Sequence, residues 1–131
     1  MGKKSIVWGN RGWTPVRFGF CPSRKAWKSF TKKAGIPEPY PEVGAARITI
    51  FASGGGDVVC LLTMVPNWRE YSKVAIAGLV AHEAVHVWQE VRKAMREENP
   101  SPEFEAYSVQ AIFQELQDPG AAPVSAVLDH H

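Results

Sequence analysis

Histidine and cysteine, the side chains that most often bind zinc, are scarce in this chain of 131 residues. Only four histidines and two cysteines are present, and no histidine lies between Lys3 and Ala81. Imidazole chemistry must therefore come from the second half of the chain. Cys21 and Cys60 are not closely spaced, so we expect free thiols and no disulfide framework.

An uninterrupted apolar segment that could cross a membrane is also missing. The most apolar run lies around Leu79, and His82, Glu83 and His86 interrupt it, whereas a spanning helix needs about 20 predominantly apolar residues. The two lysines near the N-terminus are not followed by the apolar stretch of a signal peptide. We therefore expect a cytoplasmic protein without a membrane partner.

Acidic residues are rare in the first 50 positions, which contain ten Lys and Arg against two Glu, a charge of +8. The other 81 positions contain five basic and eleven acidic residues, a charge of −6, which gives the net charge of +2. Aromatic residues lie among the basic ones, a combination that could attract nucleic acid. No recognised nucleic-acid motif accompanies them. We favour a solvated positive surface that complements the acidic half or steers an acidic substrate, and expect no nucleic-acid partner.

The length and the apolar content of 45% predict one domain over residues 1–131. In the basic part, 1–45, the pattern predicts a strand from Thr14 to Phe20 and a helix from Pro22 to Ala34. Two β-rich runs on either side of three glycines predict a hairpin within 46–66. Helices are expected at 70–98 and 102–117, and a tail follows at 118–131.

A five-residue H-E-x-x-H motif, from His82 to His86, lies inside the apolar helical run Val74 to Val91. Residues four apart share a helix face, so His82 and His86 can offer two imidazoles to one ion. Glu83 is rotated by about 100° from His82 and can act as a base toward a water molecule there. Imidazoles and a carboxylate in an apolar helix need partners, and a zinc ion supplies them. The alternative is that the histidines form hydrogen bonds within a core.

A catalytic zinc needs a third protein ligand and an open fourth position. The two prolines at 100 and 102 break the first helix, and Ser101 is the expected N-cap of the next one. On this second helix Glu105 can point toward the first helix, whereas Glu103 should face water. We therefore predict Glu105 as the third ligand, beside His82 and His86.

This arrangement, an H-E-x-x-H motif followed after 18 residues by a Glu-Ala pair on a second helix, resembles the gluzincin group of zinc metallopeptidases, including small bacterial and phage-borne members. The resemblance covers about residues 75–113. It implies a zincin-like minimal metallopeptidase fold of the α+β class, in which a small mixed or antiparallel sheet packs on a long HExxH helix and a ligand helix. It also implies Zn²⁺ bound by His82, His86 and Glu105, with Glu83 as the catalytic base.

The residue after the Glu-Ala pair departs from the group's common pattern, because Tyr107 stands where many members have Asp or Asn. The Tyr107 phenol is a candidate catalytic group that could stabilise a tetrahedral oxyanion. We favour the alternative that it packs as an amphipathic residue. Tyr40 and Tyr71 are the other candidates for the electrophilic role.

The resemblance further implies an edge strand before the active-site helix that pairs with an extended peptide substrate. Val58 to Met64 is the candidate for this strand. We therefore predict a zinc-dependent hydrolase of peptide bonds. Two alternatives stay open: a catalytically silent zinc scaffold with a binding or regulatory role, and a zinc hydrolase of a non-peptide amide such as a cell-wall amide.

Overall fold

The computed structural model describes residues 5–9, 13–42, 44–53 and 55–116. Within these ranges the chain forms a four-stranded mixed sheet and three α-helices, which confirms the α+β class. The predicted tail, 118–131, lies outside the described residues. In chain order the elements are β1 (Val7–Trp8), β2 (Arg17–Phe20), α1 (Arg24–Ala34), β3 (Ala46–Ala52), β4 (Val58–Met64), a short 3-10 helix (Trp68–Glu70), α2 (Lys73–Met95) and α3 (Pro102–Glu115).

The strands lie in the order β1-β2-β4-β3. β3 and β4 form the predicted antiparallel hairpin, in which Ile48 faces Leu62. β2 pairs with the other side of β4 in parallel, with Arg17 beside Val59. The expectation that Val58–Met64 is an edge strand is therefore wrong, and the edge next to β4 is β3. β4 is a nearly continuous apolar run, which is typical of a strand covered on both faces.

Alternating side chains send the sheet's apolar residues into two separate clusters. Phe18, Cys60 and Leu62 point to one face, where α2 and α3 cover them. Cys21, Phe51 and Leu61 belong to the cluster on the opposite face, beneath α1. The sheet is thus the middle layer between the HExxH helix and the basic helix.

Serine caps set the beginnings of all three α-helices. The hydroxyl oxygens of Ser23, Ser72 and Ser101 each accept a hydrogen bond from the backbone N–H three residues later. The helix predicted from Pro22 therefore begins at Arg24, the one predicted at 70–98 spans Lys73–Met95, and the one predicted at 102–117 spans Pro102–Glu115. No helix in the described ranges is both long and apolar enough to span a membrane.

The sequence prediction missed β1 and made β2 too long. β2 begins at Arg17, because the Thr14 hydroxyl donates to the Val16 carbonyl in the preceding bend instead of entering a ladder. β1 has only two residues and pairs with β2 in antiparallel orientation, with Trp8 opposite Gly19. A Cβ at Gly19 would lie 2.8 Å from the Val7 carbonyl oxygen, so this close pairing needs glycine there.

Candidate metal centre

The two histidines of the motif lie side by side on the exposed face of α2. Their ring centroids are 5.0 Å apart and the rings are inclined by 69°. The Nδ1 atom of His86 lies 3.1 Å from the Oε1 atom of Gln89, one turn further along the helix. The four-residue spacing thus puts the two imidazoles next to each other on one face of the helix, as the sequence predicted.

Glu83 points toward the sheet. It is only 7% exposed, and its Oε1 atom accepts a hydrogen bond of 3.0 Å from the backbone N–H of Ile48. That amide belongs to the edge strand β3 and points away from β4, since it binds a side chain of α2. The bond satisfies a buried carboxylate and an edge amide together. The second carboxylate oxygen makes no hydrogen bond with any described residue.

Glu105 points from the first turn of α3 toward α2, as predicted. Its Oε2 atom accepts a hydrogen bond of 2.8 Å from the indole N–H of the buried Trp88. The ring of Phe104 packs edge-on against the same indole, with centroids 5.7 Å apart. Trp88 therefore fixes one oxygen of the carboxylate, while Glu103 is exposed as expected.

A zinc site was predicted from these residues, and their chemistry fits zinc, since imidazole and carboxylate are ordinary zinc ligands. The structure brings His82 and His86 together. It does not join Glu105 to them: in the described part of the chain no three His, Cys, Asp or Glu side chains form a group that could hold a metal ion. Of the three predicted ligands, the structure therefore brings only the two imidazoles together.

The tyrosines predicted for the electrophilic role lie in different places. Tyr107 is 65% exposed on α3, which suits an amphipathic surface residue. Tyr40 packs against Trp27 in the cluster beneath α1, with ring centroids 5.7 Å apart. Tyr40 is therefore on the wrong side of the sheet to serve the histidines. Tyr71 is half-buried just before α2.

The chain matches no known family model, no curated protein sequence and no solved structure at a significant level. Any functional argument must therefore start from the side chains of the site itself.

Two partners of the site were not predicted from the sequence. Trp88 carries a donor that requires an acceptor when buried, and this requirement was a signal available in the apolar helix. The Ile48 amide carried no such signal, because only the strand order shows that it points toward α2. The carboxylates of Glu83 and Glu105 thus depend on contacts between distant elements.

Both cysteines are free thiols, as predicted, and both are buried. Burial raises the pKa of Cys60 to about 12, and the nearby Glu90 carboxylate adds to the rise. Burial likewise raises the pKa of Cys21 to about 11, against the effect of the Ser23 carbonyl, which accepts the thiol hydrogen. Both thiols are therefore protonated at neutral pH in the metal-free chain.

Proposed function

We propose that the chain is a zinc-dependent hydrolase of peptide bonds with a zincin-like site of the gluzincin type. The observation that carries this proposal is the pair of exposed imidazoles of His82 and His86 on α2, separated by 5.0 Å between ring centroids. Imidazoles so close together repel one another when both are protonated. A shared divalent cation is the partner that suits two neutral rings.

His82, His86 and Glu105 would hold the ion. Zinc, when bound, would lower the pKa of a water molecule to about 7 and polarise the scissile carbonyl. The Trp88 hydrogen bond supports the Glu105 assignment, since ligand carboxylates are usually held by a second hydrogen bond. Glu105 keeps one oxygen for the ion while the indole holds the other.

Glu83 would accept the proton of the attacking water and return it to the leaving amine. Its Oε1 atom is engaged by the Ile48 amide, so Oε2 is the oxygen available for proton transfer. An extended peptide that paired with the edge strand β3 would compete for the Ile48 amide. Substrate pairing would then free the whole carboxylate at the moment when a base is needed. We therefore propose that the substrate pairs with β3, because β4 is an internal strand.

A second candidate is a catalytically silent zinc scaffold with a binding or regulatory role. The observation that favours it is also the Glu83 contact, because a buried carboxylate bound to a strand amide can be explained by stability alone. A zinc hydrolase of a cell-wall amide would use the same groups. A panel of peptide and cell-wall substrates distinguishes the two hydrolases.

The first test compares wild-type protein with Glu83→Gln. We expect about one zinc per chain in both proteins by elemental analysis. Glutamine can still accept from Ile48 N–H but cannot take a proton, so turnover should fall by about a hundredfold or more. If wild-type protein prepared without chelators contains no zinc, the zinc proposal is wrong. Zinc without turnover on any amide substrate supports the silent scaffold.

The second test identifies the third ligand with a matched pair on α3. Glu105→Ala should release zinc and lower the melting temperature in the zinc-loaded state, because metal binding stabilises the native fold. Glu103→Ala removes the same charge from the same helical turn and should leave the zinc content unchanged. Release of zinc by Glu103→Ala alone would show that the ligand is misassigned.

A further inference from the structure

A cleft of about 430 Å³ opens between β1, β2 and α1, on the opposite face of the sheet from the HExxH helix. Its volume lies within the roughly 300–1,000 Å³ that is usual for small-molecule sites. No acidic side chain among the described residues lines it. The polar and aromatic lining consists of Ser5, Trp8, Arg17, Ser29, Phe30 and Lys33.

The aromatic wall of the cleft is held in place by its neighbours. The Arg17 guanidinium lies over the indole of Trp8, with its carbon 4.1 Å from the ring centroid. Phe30 of α1 packs against the same indole, with centroids 6.0 Å apart. Gly19 lies directly below, where a Cβ would be 3.1 Å from the indole. Trp8 is therefore fixed across β2, although it remains 37% exposed.

The two cations of the cleft have no counter-ion within the described part of the chain. Arg17 is half-buried and Lys33 is exposed, and neither forms an ion pair with a described residue. By contrast, Arg24 nearby pairs with Glu42. A guanidinium that lies over an indole and lines a cavity without a counter-ion can receive an anion there.

We propose that this cleft binds a nucleotide, either free or as a unit of a single strand. Arg17 and Lys33 would contact the phosphate, and the base would stack on the outer face of the Arg17 guanidinium, whose inner face lies over the Trp8 indole. The Ser5 and Ser29 hydroxyls can donate to or accept from the base and sugar. An acidic peptide would satisfy the cations but would leave the aromatic surface unused.

An adjoining hollow of about 290 Å³ shares Arg17 and Phe30 with the cleft and ends near Asp57. The Asp57 carboxylate would repel a phosphate, so the phosphate belongs at the Lys33 end. The proposal does not depend on the zinc chemistry, because the sheet separates the two sites. It differs from the expectation of a merely solvated positive surface, because the structure adds the cavity and the ordered indole.

The test titrates the full chain with adenosine monophosphate, single-stranded oligodeoxyadenylate, inorganic phosphate and oligoglutamate, measured by calorimetry. We expect at least one nucleotide probe to bind about tenfold or more tightly than either phosphate or oligoglutamate, because stacking adds to the ionic contacts. Preference for the monophosphate indicates a free nucleotide, and preference for the oligomer indicates a strand. Equal binding of inorganic phosphate or oligoglutamate, or no binding of the nucleotides, would overturn the proposal.

Two lysines at the end of α1 provide a charge-matched control. Lys33→Ala should weaken nucleotide binding by about tenfold, since it removes a phosphate contact. Lys32→Ala removes the same charge from the same helical turn but lies outside the cleft, so binding should stay within about twofold. Arg17→Lys keeps the charge and loses the planar stack, and should also weaken binding. If Lys32→Ala and Lys33→Ala weaken nucleotide binding equally, the nucleotide is attracted only by the general positive charge, and the proposal of a binding site in the cleft is wrong.

Discussion

The two faces of the sheet differ in both size and chemistry. The face covered by α2 and α3 has the larger apolar cluster and presents imidazoles and carboxylates around it. The face covered by α1 has a smaller cluster rich in aromatic side chains, and its cleft presents cations. The charges of the helices follow these layers: α1 carries five basic and no acidic residues, whereas α2 and α3 together carry three basic and five acidic residues.

This contrast shows how one thin sheet can keep two kinds of chemistry apart. Neighbouring residues of a strand point to opposite faces. Consecutive side chains of one strand therefore lie in the two different apolar clusters. The carboxylate of Glu83 comes from the α2 side and binds the edge amide of Ile48, whereas the guanidinium of Arg17 lies over Trp8 on the α1 side. Each face can therefore be altered without touching the other.

The strongest test of the contrast compares two adjacent leucines of β4. Leu62 points into the larger cluster and Leu61 into the smaller one, and both are fully buried. Leu62→Ala should lower the free energy of unfolding by about 3–5 kcal/mol, because its surroundings can close only partly on the cavity. Leu61→Ala should lower it by about 2–3 kcal/mol, because the smaller cluster near the surface can relax more.

Urea denaturation measures the free energy of unfolding of each variant. The two values can be compared directly if the free energy falls with urea concentration at the same slope in both variants. The reverse order of effects, with Leu61→Ala the more destabilising, would show that the aromatic face is the main core.

A smaller effect is expected when the polar contact of the α2 face is removed. Glu83→Ala leaves the Ile48 amide without its acceptor and should lower the free energy of unfolding by about 1–3 kcal/mol. Glu83→Gln keeps an acceptor for the Ile48 amide, so it should lower the free energy of unfolding by less than half as much as Glu83→Ala. Hydrogen exchange of the Ile48 amide measures the contact directly, and it should quicken only in the alanine variant. Unchanged exchange in Glu83→Ala would mean that the hydrogen bond is not formed in solution.

The smallest effect, when the pH is raised only slightly above 9.0, concerns the buried thiols, one on each face. Burial raises the pKa of Cys21 to about 11 and that of Cys60 to about 12, against an ordinary value of 9.0. The folded state therefore favours the neutral thiols. Their contribution is complete below pH 9.0 and is lost as the pH rises toward the raised values, because only the unfolded chain ionises there.

Urea midpoints measured on either side of that pH should show this alkaline loss. Cys60→Ala should reduce the loss, because one of the two thiols is then missing. If Cys60→Ala and wild-type protein lose the same stability at alkaline pH, groups other than the Cys60 thiol cause the loss.

Much of the fold could be predicted from local patterns. The Ser101 cap, the Gly-rich turn and the apolar periodicity located α1, the hairpin, α2 and α3 to within a few residues. Strand order could not be predicted in this way, because the pairing of β2 with β4 joins distant segments and leaves no periodic signal. The wrong expectation of Val58–Met64 at the edge comes from the family resemblance and not from a local pattern.

The site shows the same division between local and distant information. The spacing of His82 and His86 fixes their common face whatever the rest of the chain does. The direction of Glu83 depends on where β3 lies, and the contact of Glu105 depends on how α3 packs against Trp88. The role of Glu105 as a third ligand therefore stays a prediction, since helix periodicity gives a direction and not a distance.

The parallel pairing of β2 with β4 also bears on how the chain reaches its native state. Arg17 lies beside Val59, so this pairing closes a loop of about 40 residues, whereas β3 and β4 meet across a short turn. We expect the hairpin and the helix that follows it to form early, and β2 to dock late. The cleft between β1, β2 and α1 would then be among the last parts of the molecule to assemble.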